Sequence, residues 1–327
     1  MADPAPGVLD RLRDELDALD LHLQLRRLER VKGIDLISND YLGLSTDPRL
    51  KGVLARAIQQ GERVASTGSR LLSGNADAWE ELEAEFAQFA GSEASLFFNS
   101  GYAANTGLLS ALLRPEDTVF SDSANHASII DGIRLSKARR VIFPHLDLNF
   151  LEDRLRRSLQ GGHRFIVLES VFSMEGDRAP LREVSNLAMR HGAELIVDEA
   201  HATGVFGPAG RGAVAEEGRP DVVLASVHTC GKALASAGAF VACSEIFKQF
   251  LVNRSRPFIF STALPPYLAA QVSAAIKMVK EASDLRTRLH SLAAALRAQL
   301  QARGWTTGLS DSQIVPVILG SNERALK

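Results

Sequence analysis

The chain has 327 residues, enough for one large domain or for a large domain with a smaller one, and either could bury a substantial core. Apolar residues make up 46% and charged residues 23%, which is ordinary for a globular protein. The formal net charge of −2 gives no electrostatic reason to expect nucleic acid or a membrane surface as a partner.

The beginning of the sequence, MADPAPGVLDRLRDELDALD, lacks the basic start and apolar core of a signal peptide, so we expect no secretion signal. No apolar run approaches the roughly 20 residues that a membrane-spanning helix needs. The two cysteines, Cys230 and Cys243, give no disulfide framework and are typical of a reducing compartment. We therefore expect a cytoplasmic protein without a membrane partner.

In chain order, residues 8–30 carry an amphipathic pattern that predicts a helix. Short apolar runs, many with β-branched residues, then predict seven strands at 94–99, 118–121, 140–143, 165–170, 194–198, 221–226 and 239–243. Most runs are continuous rather than alternating, which indicates strands that are covered on both faces. Helical patterns at 105–113 and 181–191 lie between them. This alternation predicts an α/β fold with a mainly parallel seven-stranded sheet.

The last part of the chain has a different pattern. A helical pattern runs from Pro265 to about Arg303, SQIVPVILG (312–320) predicts a strand, and Ser321 predicts the N-cap of another helix. These elements predict a small α/β domain that begins and is not completed, as in a shortened chain. We divide the chain into an N-terminal helix and arm (1–45), a large ligand-binding domain (46–255) and a long helix with the start of the small domain (256–327).

In open parallel sheets, ligands bind outside the carboxyl ends of the strands, and polar residues follow several of the predicted strands. Ser100, Gly101 and Tyr102 lie between a strand and a helix in FNSGYAAN (98–105). Free backbone N–H groups at a helix start attract phosphate, and glycine permits a close approach. The alternative is a plain strand-to-helix turn.

The stretch LIVDEAHATG (195–204) places Asp198 at the end of an apolar strand and His201 three residues later. Asp198 could protect a positive charge on a ring nitrogen, and His201 could hydrogen-bond a neighbouring oxygen. Both residues also have structural interpretations, a helix N-cap for Asp198 and a hydrogen-bonded histidine for His201.

Two further polar residues follow predicted strands. Ser173 lies in LESVFSMEGDRAPL (168–181), where the alternative is a polar turn before the next helix. His126 lies in SDSANHASIID (121–131), and an imidazole there could stack on an aromatic cofactor or transfer protons. The alternative for His126 is a loop histidine or a helix cap.

SVHTCGKALASAGAF (226–240) sets Lys232 among small residues, with Cys230 nearby as a packing residue. A surface lysine does not need small neighbours, whereas a lysine that bonds a cofactor needs room for it. A phosphate-binding turn, an aspartate for a ring nitrogen, a stacking histidine and this lysine together predict pyridoxal 5′-phosphate. Lys232 would form the Schiff base and would need a lowered pKa.

The chain resembles the α-oxoamine synthases, a family of fold-type-I pyridoxal-phosphate enzymes, over nearly its whole length. The motifs that carry the resemblance are SNDYLGLS (38–45), STGSRLLSGN (66–75), FNSGYAAN, VFSMEGD (171–177), VDEAHATGVFG (197–207), HTCGKAL (228–234) and FIFSTALPP (258–266). The resemblance implies a fold-type-I transferase that works as a homodimer, with its sites at the subunit interface.

The resemblance also implies roles for residues around the cofactor. Lys232 would bond the cofactor, Asp198 would pair with its ring nitrogen, and His126 would stack on the ring. Its phenolic oxygen would be contacted by His201 and Ser173. The phosphate would be held by Ser100, Gly101, Tyr102 and Thr229, and by Ser261 and Thr262 of the neighbouring subunit.

The implied reaction is the decarboxylative condensation of L-alanine with pimeloyl-CoA, or with its carrier-protein equivalent, in biotin biosynthesis. AHATG and HTCGKALASAGAF favour this member of the family. Lys232, displaced by alanine, would remove the α-proton, and His126 would assist the acyl step. Arg26, or Arg27 beside it, aligns with a substrate-binding arginine, and Asn39 is expected near the amino-acid carboxylate. No metal ion is expected.

Two alternatives remain at this point, and two others are disfavoured. One is a sister activity that joins glycine to an acetyl, succinyl or palmitoyl thioester, as in enzymes that resemble serine palmitoyltransferase. Another is a non-catalytic protein that binds pyridoxal phosphate, because family members continue for several dozen residues and carry an arginine and a threonine of the site there. A serine hydrolase or an NAD-dependent enzyme is disfavoured, because the sequence has no G-x-S-x-G elbow and no G-x-G-x-x-G after the first strand.

Overall fold

The computed structural model describes residues 7–61, 63–158, 161–217 and 219–326. The strands are β1 (Ala94–Phe98), β2 (Thr118–Asp122), β3 (Arg139–Phe143), β4 (Arg164–Glu169), β5 (Glu194–Asp198), β6 (Val223–Thr229) and β7 (Ala239–Cys243). The α-helices are α1 (Val8–Leu21), α2 (Pro48–Gln60), α3 (Asp77–Ala90), α4 (Gly101–Leu112), α5 (Ala127–Ser136), α6 (Leu148–Arg157), α7 (Leu181–His191), α8 (Ala213–Glu217), α9 (Glu245–Arg254), α10 (Arg256–Ile259), α11 (Tyr267–Glu281), α12 (Ser283–Ala302) and α13 (Asn322–Ala325). Short 3₁₀ helices cover Leu44–Thr46, Pro208–Gly210 and Pro220–Val222.

Within these ranges the strands form one seven-stranded sheet in the order β1-β7-β6-β5-β4-β2-β3. The pairs from β6 to β3 are parallel, whereas β7 runs antiparallel to both β1 and β6. Parallel neighbours need a long crossover connection, and α7 supplies it between β4 and β5. The prediction of an α/β fold with a mainly parallel seven-stranded sheet is therefore confirmed.

Both faces of the sheet are covered by apolar side chains. Leu195 and Val197 of β5 belong to one core cluster and Ile196 to the other, and all three are almost fully buried. Successive residues of a strand point to opposite faces, so a strand buried on both faces has no polar alternation. This explains why the strands were readable as continuous apolar runs.

Polar residues gather where the parallel strands end. β2 ends at Asp122, β4 at Glu169, β5 at Asp198 and β6 at Thr229. β1 points the same way, because β7 is antiparallel to both β1 and β6, and Ser100 follows it at the start of α4. The carboxyl edge of the sheet is therefore where a ligand site is expected.

The helix predicted over 8–30 is shorter than expected, because α1 ends at Leu21. Leu23 has a positive φ of 53°, a left-handed conformation that a right-handed helix cannot continue through. None of the described side chains of α1 is buried, so tertiary packing does not hold a longer helix in place.

Two predictions for the last part of the chain were wrong. The helical pattern from Pro265 to Arg303 is two helices, α11 and α12, which meet at Ala282. The segment 312–320 is extended but is not a strand, and no described strand pairs with it. Its backbone bonds go to loops, from Ser312 N–H to Gly176 and from Ile318 N–H to Thr306. Ser321 does cap α13, as predicted, by accepting a bond from the Arg324 N–H.

None of the described helices combines the length and the apolar character needed to cross a membrane.

Candidate active site

A cavity of about 150 Å³ lies at the carboxyl edge of the sheet. Its lining includes seven residues that were predicted from the sequence, namely Gly101, Tyr102, His126, Asp198, His201, Thr229 and Lys232. The other lining residues are Asn105, Glu169, Ala200 and Val227. A larger cleft of about 560 Å³ lies by the first residues of β5 and β6, but its described lining contains no lysine. The smaller cavity is therefore the candidate active site.

Lys232 enters this cavity from the loop that follows β6. Its Nζ lies 2.8 Å from Nε2 of His201. Burial lowers the pKa of the Lys232 amine, and the negative charges of Asp198 and Glu169 oppose that effect. A lowered pKa increases the neutral fraction of the amine, and only the neutral amine is a nucleophile or a base.

Asp198 ends β5 and is almost fully buried, with 5% of its surface exposed. Its Oδ2 accepts a hydrogen bond from Asn105 Nδ2 at 2.6 Å, and its Oδ1 accepts one from the Ala200 N–H at 2.8 Å. The structural and the functional interpretation of Asp198 are therefore compatible, because the carboxylate caps the turn that follows and also faces the cavity.

Glu169 is a site residue that the sequence analysis missed. It ends β4 directly beside Asp198 in the sheet register, and its Oε1 accepts a hydrogen bond from the His126 N–H at 2.6 Å. Burial, and then the negative charge of Asp198, raise the pKa of Glu169 to about 8. The signal that could have found it is a charged residue that closes the apolar run FIVLES.

His201 lies between Lys232 and a second missed residue, Tyr41. The Tyr41 hydroxyl is 2.6 Å from Nδ1 of His201 and 3.1 Å from Oδ1 of Asn39. Burial, together with the positive charges of Lys232 and His126, lowers the pKa of His201 to about 3, so its imidazole is neutral. The predicted residue Asn39 is therefore linked to His201 through the Tyr41 hydroxyl.

His126 immediately precedes α5 and remains exposed. Its Nδ1 accepts a hydrogen bond from the Ser128 N–H at 3.2 Å and lies 2.7 Å from the Ser128 hydroxyl. The ring is thus a helix cap, as one interpretation held, and it lines the cavity as well. The edge of Tyr102 approaches it, with 6.3 Å between ring centroids, and the Tyr102 hydroxyl donates to Asp131.

The start of α4 forms the wall of the cavity near β6. Ser100 caps this helix by accepting a hydrogen bond from the Ala103 N–H at 3.1 Å. A methyl group on Gly101 would lie 3.4 Å from Oγ1 of Thr229, an ordinary van der Waals contact, so the two segments pack next to each other here. The first N–H groups of a helix have no partner inside the helix and favour an anion.

The remaining predicted residues lie outside the lining of this cavity. Ser173 contacts the site indirectly, through a backbone hydrogen bond to Glu169. The carbonyl of Thr262 accepts a bond from Asn99 Nδ2 at 2.7 Å, close to the end of β1, and Ser261 precedes it. Arg26 is exposed. The roles given to Ser173, Ser261, Thr262 and Arg26 stay predictions, as do the roles given to the predicted residues that line the cavity.

This set of groups fits pyridoxal 5′-phosphate. It supplies a buried amine for a covalent bond, a buried carboxylate for a ring nitrogen and a helix start with glycine for a phosphate. A neutral imidazole and a tyrosine hydroxyl complete the set of hydrogen-bonding groups.

The sequence matches the family described as aminotransferase class I and II over residues 31–327. The 8-amino-7-oxononanoate synthase of Anaeromyxobacter dehalogenans is 43% identical, in an alignment that covers 98% of this chain and 84% of the relative. The enzyme of the same name from Geobacter sulfurreducens is 46% identical, with 89% and 75% covered.

Solved structures give a consistent result. Serine palmitoyltransferase from S. paucimobilis, with a bound PLP–myriocin aldimine, is 32% identical with a TM-score of 0.89, and 97% of this chain and 85% of that one are covered. The 8-amino-7-oxononanoate synthase of Francisella tularensis is 31% identical with a TM-score of 0.73, and 86% and 78% are covered. The chain therefore belongs to the aminotransferase class I and II family and, within it, to the α-oxoamine synthases.

Proposed function

We propose that this protein condenses L-alanine with a pimeloyl thioester, carried by CoA or by a carrier protein, to make 8-amino-7-oxononanoate for biotin biosynthesis. In this reaction the α-carbon of alanine bonds to the thioester carbonyl, the thiol leaves and the alanine carboxylate departs as carbon dioxide. The observation that carries the proposal is the buried amine of Lys232, beside neutral His201 and opposite Asp198, in a chain 43% identical to a synthase of that name.

The proposed cofactor is pyridoxal 5′-phosphate. When bound, it links covalently to a lysine amine, and its electron-poor ring makes the α-hydrogen of an attached amino acid acidic. Asp198 would hold a proton on the ring nitrogen, since its carboxylate is buried and already fixed by Asn105 and by the Ala200 N–H. The phosphate would lie at the start of α4, beside Gly101, Tyr102 and Thr229.

Lys232 would remove the α-proton of alanine as the general base. Burial lowers the pKa of this amine, which brings it closer to the pH at which a base works best. The neighbouring residues Ala233 and Ala235 are small and leave room around the amine. His201 and Ser173 would contact the phenolic oxygen of the cofactor.

His126 would stack on the cofactor ring and assist the acyl step. Its hydrogen bonds to Ser128 fix the ring orientation while the ring stays exposed, which supports a role towards an incoming ligand. Asn39 would bind near the amino-acid carboxylate, and its contact with Tyr41 supports a place at the edge of the site. Arg26 would bind the distal end of the acyl substrate.

We also propose that the protein is a homodimer, in which Ser261 and Thr262 of one subunit reach the phosphate in the other. Several large apolar side chains are strongly exposed, as expected of a surface that a second subunit covers. They include Leu28, Ile34, Leu36, Ile37 and Phe260, of which Leu28 and Ile34 are 107% and 86% exposed.

We place the protein in the cytoplasm, because Cys230 and Cys243 are both free thiols.

The proposal is tested by measuring thiol release from purified protein loaded with pyridoxal phosphate. Alanine, glycine and serine are each paired with pimeloyl, acetyl and palmitoyl thioesters, and Lys232→Ala serves as the inactive control. We expect the highest kcat/KM for alanine with the pimeloyl thioester. Thiol release with glycine or serine, but not with alanine, would contradict the proposal.

A second function has one observation in its favour, the TM-score of 0.89 to a serine palmitoyltransferase. That enzyme is 32% identical, against 42–46% for the relatives named 8-amino-7-oxononanoate synthase, so sequence favours alanine. Discrimination by one methyl or hydroxyl group is worth only about 1–3 kcal/mol. The same substrate panel separates the two functions.

A further inference from the structure

We propose that Tyr41 is a positioning residue that fixes the tautomer of His201 and, through it, keeps the amine of Lys232 neutral. The proposal deepens the proposed function and rests on it, because it concerns how Lys232 is prepared for the cofactor. The geometry that carries it is a line of three groups. Tyr41 Oη lies 2.6 Å from His201 Nδ1, and His201 Nε2 lies 2.8 Å from Lys232 Nζ.

The direction of these hydrogen bonds follows from counting protons. A neutral imidazole carries one N–H, and a phenol has one proton to donate. Burial raises the pKa of Tyr41 to about 12, so its hydroxyl keeps that proton at neutral pH. If Tyr41 donates to Nδ1, the His201 proton must be on Nε2, where it faces Lys232.

The distances around Tyr41, together with the effect of Gln313, favour donation of the Tyr41 proton to His201. Gln313 lowers the pKa of Tyr41, as an N–H group near the phenol oxygen does. The Gln313 amide also donates from Nε2 to the His201 carbonyl at 2.8 Å. The Tyr41 hydroxyl has one proton to donate, and His201 Nδ1 is nearer than Asn39 Oδ1, at 2.6 Å against 3.1 Å.

The tautomer of His201 determines which protonation form of Lys232 can hydrogen-bond to Nε2. An ammonium group has three donors and no acceptor, so it cannot pair with an N–H on Nε2. A neutral amine has a lone pair and can. The Nε2–H tautomer therefore stabilises neutral Lys232, whereas the Nδ1–H tautomer accepts the ammonium form as well.

The charged groups around the pair act in both directions. Asp198 at the end of β5 and the ionised form of Glu169 at the end of β4 favour the ammonium form of Lys232. His126, from the segment before α5, and Lys232 itself disfavour a positive charge on His201. By fixing the tautomer of His201, Tyr41 acts in the same direction as the burial of Lys232, and both oppose the effect of the two carboxylates.

The first test is histidine nitrogen NMR of the protein without cofactor. Two-bond ¹H–¹⁵N spectra distinguish the two tautomers of each neutral histidine, and His201→Gln assigns the signal. We expect the Nε2–H tautomer for His201, and the Nδ1–H tautomer in Tyr41→Phe. An Nδ1–H tautomer in the unmodified protein, or no change in Tyr41→Phe, overturns the proposal.

The second test is the pH profile of the rate at which Lys232 captures pyridoxal phosphate, followed by absorbance. Only the neutral amine reacts, so the midpoint of the profile reports the pKa of Lys232. Loss of one hydrogen bond predicts a midpoint about one unit higher in Tyr41→Phe, and a rate about tenfold lower at neutral pH. In a His201→Gln background, Tyr41→Phe is expected to have no further effect. Equal midpoints in Tyr41→Phe and the unmodified protein contradict the proposal.

Two variants keep these tests decisive. Tyr267→Phe, on α11, removes a phenol elsewhere and is expected to leave both readouts unchanged. Gln313→Leu retains Tyr41 and is expected to move the midpoint in the same direction by a smaller amount; an unchanged midpoint contradicts the role given to Gln313. Neither test uses alanine or a thioester, so the results of both tests do not depend on which amino acid and thioester are the true substrates. Failure of the unmodified protein to capture the cofactor contradicts the proposed function, while the NMR test still decides the tautomer.

Discussion

Replacement of His145 by glutamine is expected to flatten the pH dependence of stability between about pH 6.5 and pH 9. His145 bridges two buried aspartates, with Nδ1 2.9 Å from Asp122 and Nε2 3.0 Å from Asp177. Burial lowers the pKa of His145, but the hydrogen bonds and charges of Asp122 and then Asp177 outweigh it and raise the pKa to about 9.

The sign and size of the effect follow from linkage. A histidine whose pKa is higher in the folded protein binds its proton more tightly there, so its contribution is complete below about pH 6.5 and is lost as the pH rises through about 9. A shift of that size corresponds to about 3 kcal/mol, at about 1.4 kcal/mol per pKa unit. The side chain is 25% exposed, and solvent screening lowers the expected value to about 2 kcal/mol.

The measurement is urea unfolding followed by circular dichroism at pH values from 6.5 to 9.5. Over this interval the unmodified protein is expected to lose about 2 kcal/mol more unfolding free energy than His145→Gln, which starts lower. The exposed His163 provides the matched control, His163→Gln, which should follow the unmodified curve. Parallel curves for His145→Gln and the unmodified protein would refute the assignment of the raised pKa to His145.

Three further substitutions test the site and the fold. Lys232→Ala is expected to abolish covalent capture of pyridoxal phosphate, so that intact mass after borohydride reduction shows no added cofactor; any adduct would contradict the role of Lys232. In Asp198→Asn the side-chain oxygen can still accept the hydrogen bond from Asn105, but the negative charge is lost. We expect kcat to fall roughly 10²–10³-fold, a loss typical of a removed electrostatic contact. A kcat within a factor of two of the unmodified protein would argue against the proposed role of Asp198. In Gly238→Ala the new methyl would lie 2.1 Å from Cζ of Phe97 at a φ of +88°, so we expect a loss of about 2–4 kcal/mol and a lower urea midpoint. An unchanged midpoint would show that the turn before β7 tolerates the clash.

The sheet was readable from the sequence because its strands are buried on both faces. Continuous apolar runs such as ELIVD are unusual outside such strands, and each predicted run overlaps an observed strand. The segment 312–320 has the same apolar character, but its backbone groups bond to loops around Gly176 and Thr306. Apolar composition indicates burial or extension, and only the presence of a neighbouring strand turns an extended segment into part of a sheet.

The site was predictable where its residues belong to local patterns, and not where contacts span the chain. Asp198, His201 and Lys232 follow strands within short motifs, and the structure brings them together. Tyr41 meets His201 across 160 residues, and the N–H of His126 meets Glu169 across 43 residues. Tyr41 stood in the motif SNDYLGLS, but nothing local to that motif indicates that its hydroxyl reaches the histidine.

The paired carboxyl groups support the counter-charge role that we propose for Asp198. Glu169 and Asp198 are neighbours in the sheet register, and two adjacent buried carboxylates do not ionise independently. Asp198 has two hydrogen-bond donors that stabilise its negative charge, from Asn105 and the Ala200 N–H. Burial and the charge of Asp198 raise the pKa of Glu169 to about 8, so near neutral pH the proton resides on Glu169. A Glu169 carboxyl that keeps its proton does not compete with Asp198 for the ring nitrogen that we propose as the partner of Asp198, so the two adjacent carboxyl groups can have separate tasks.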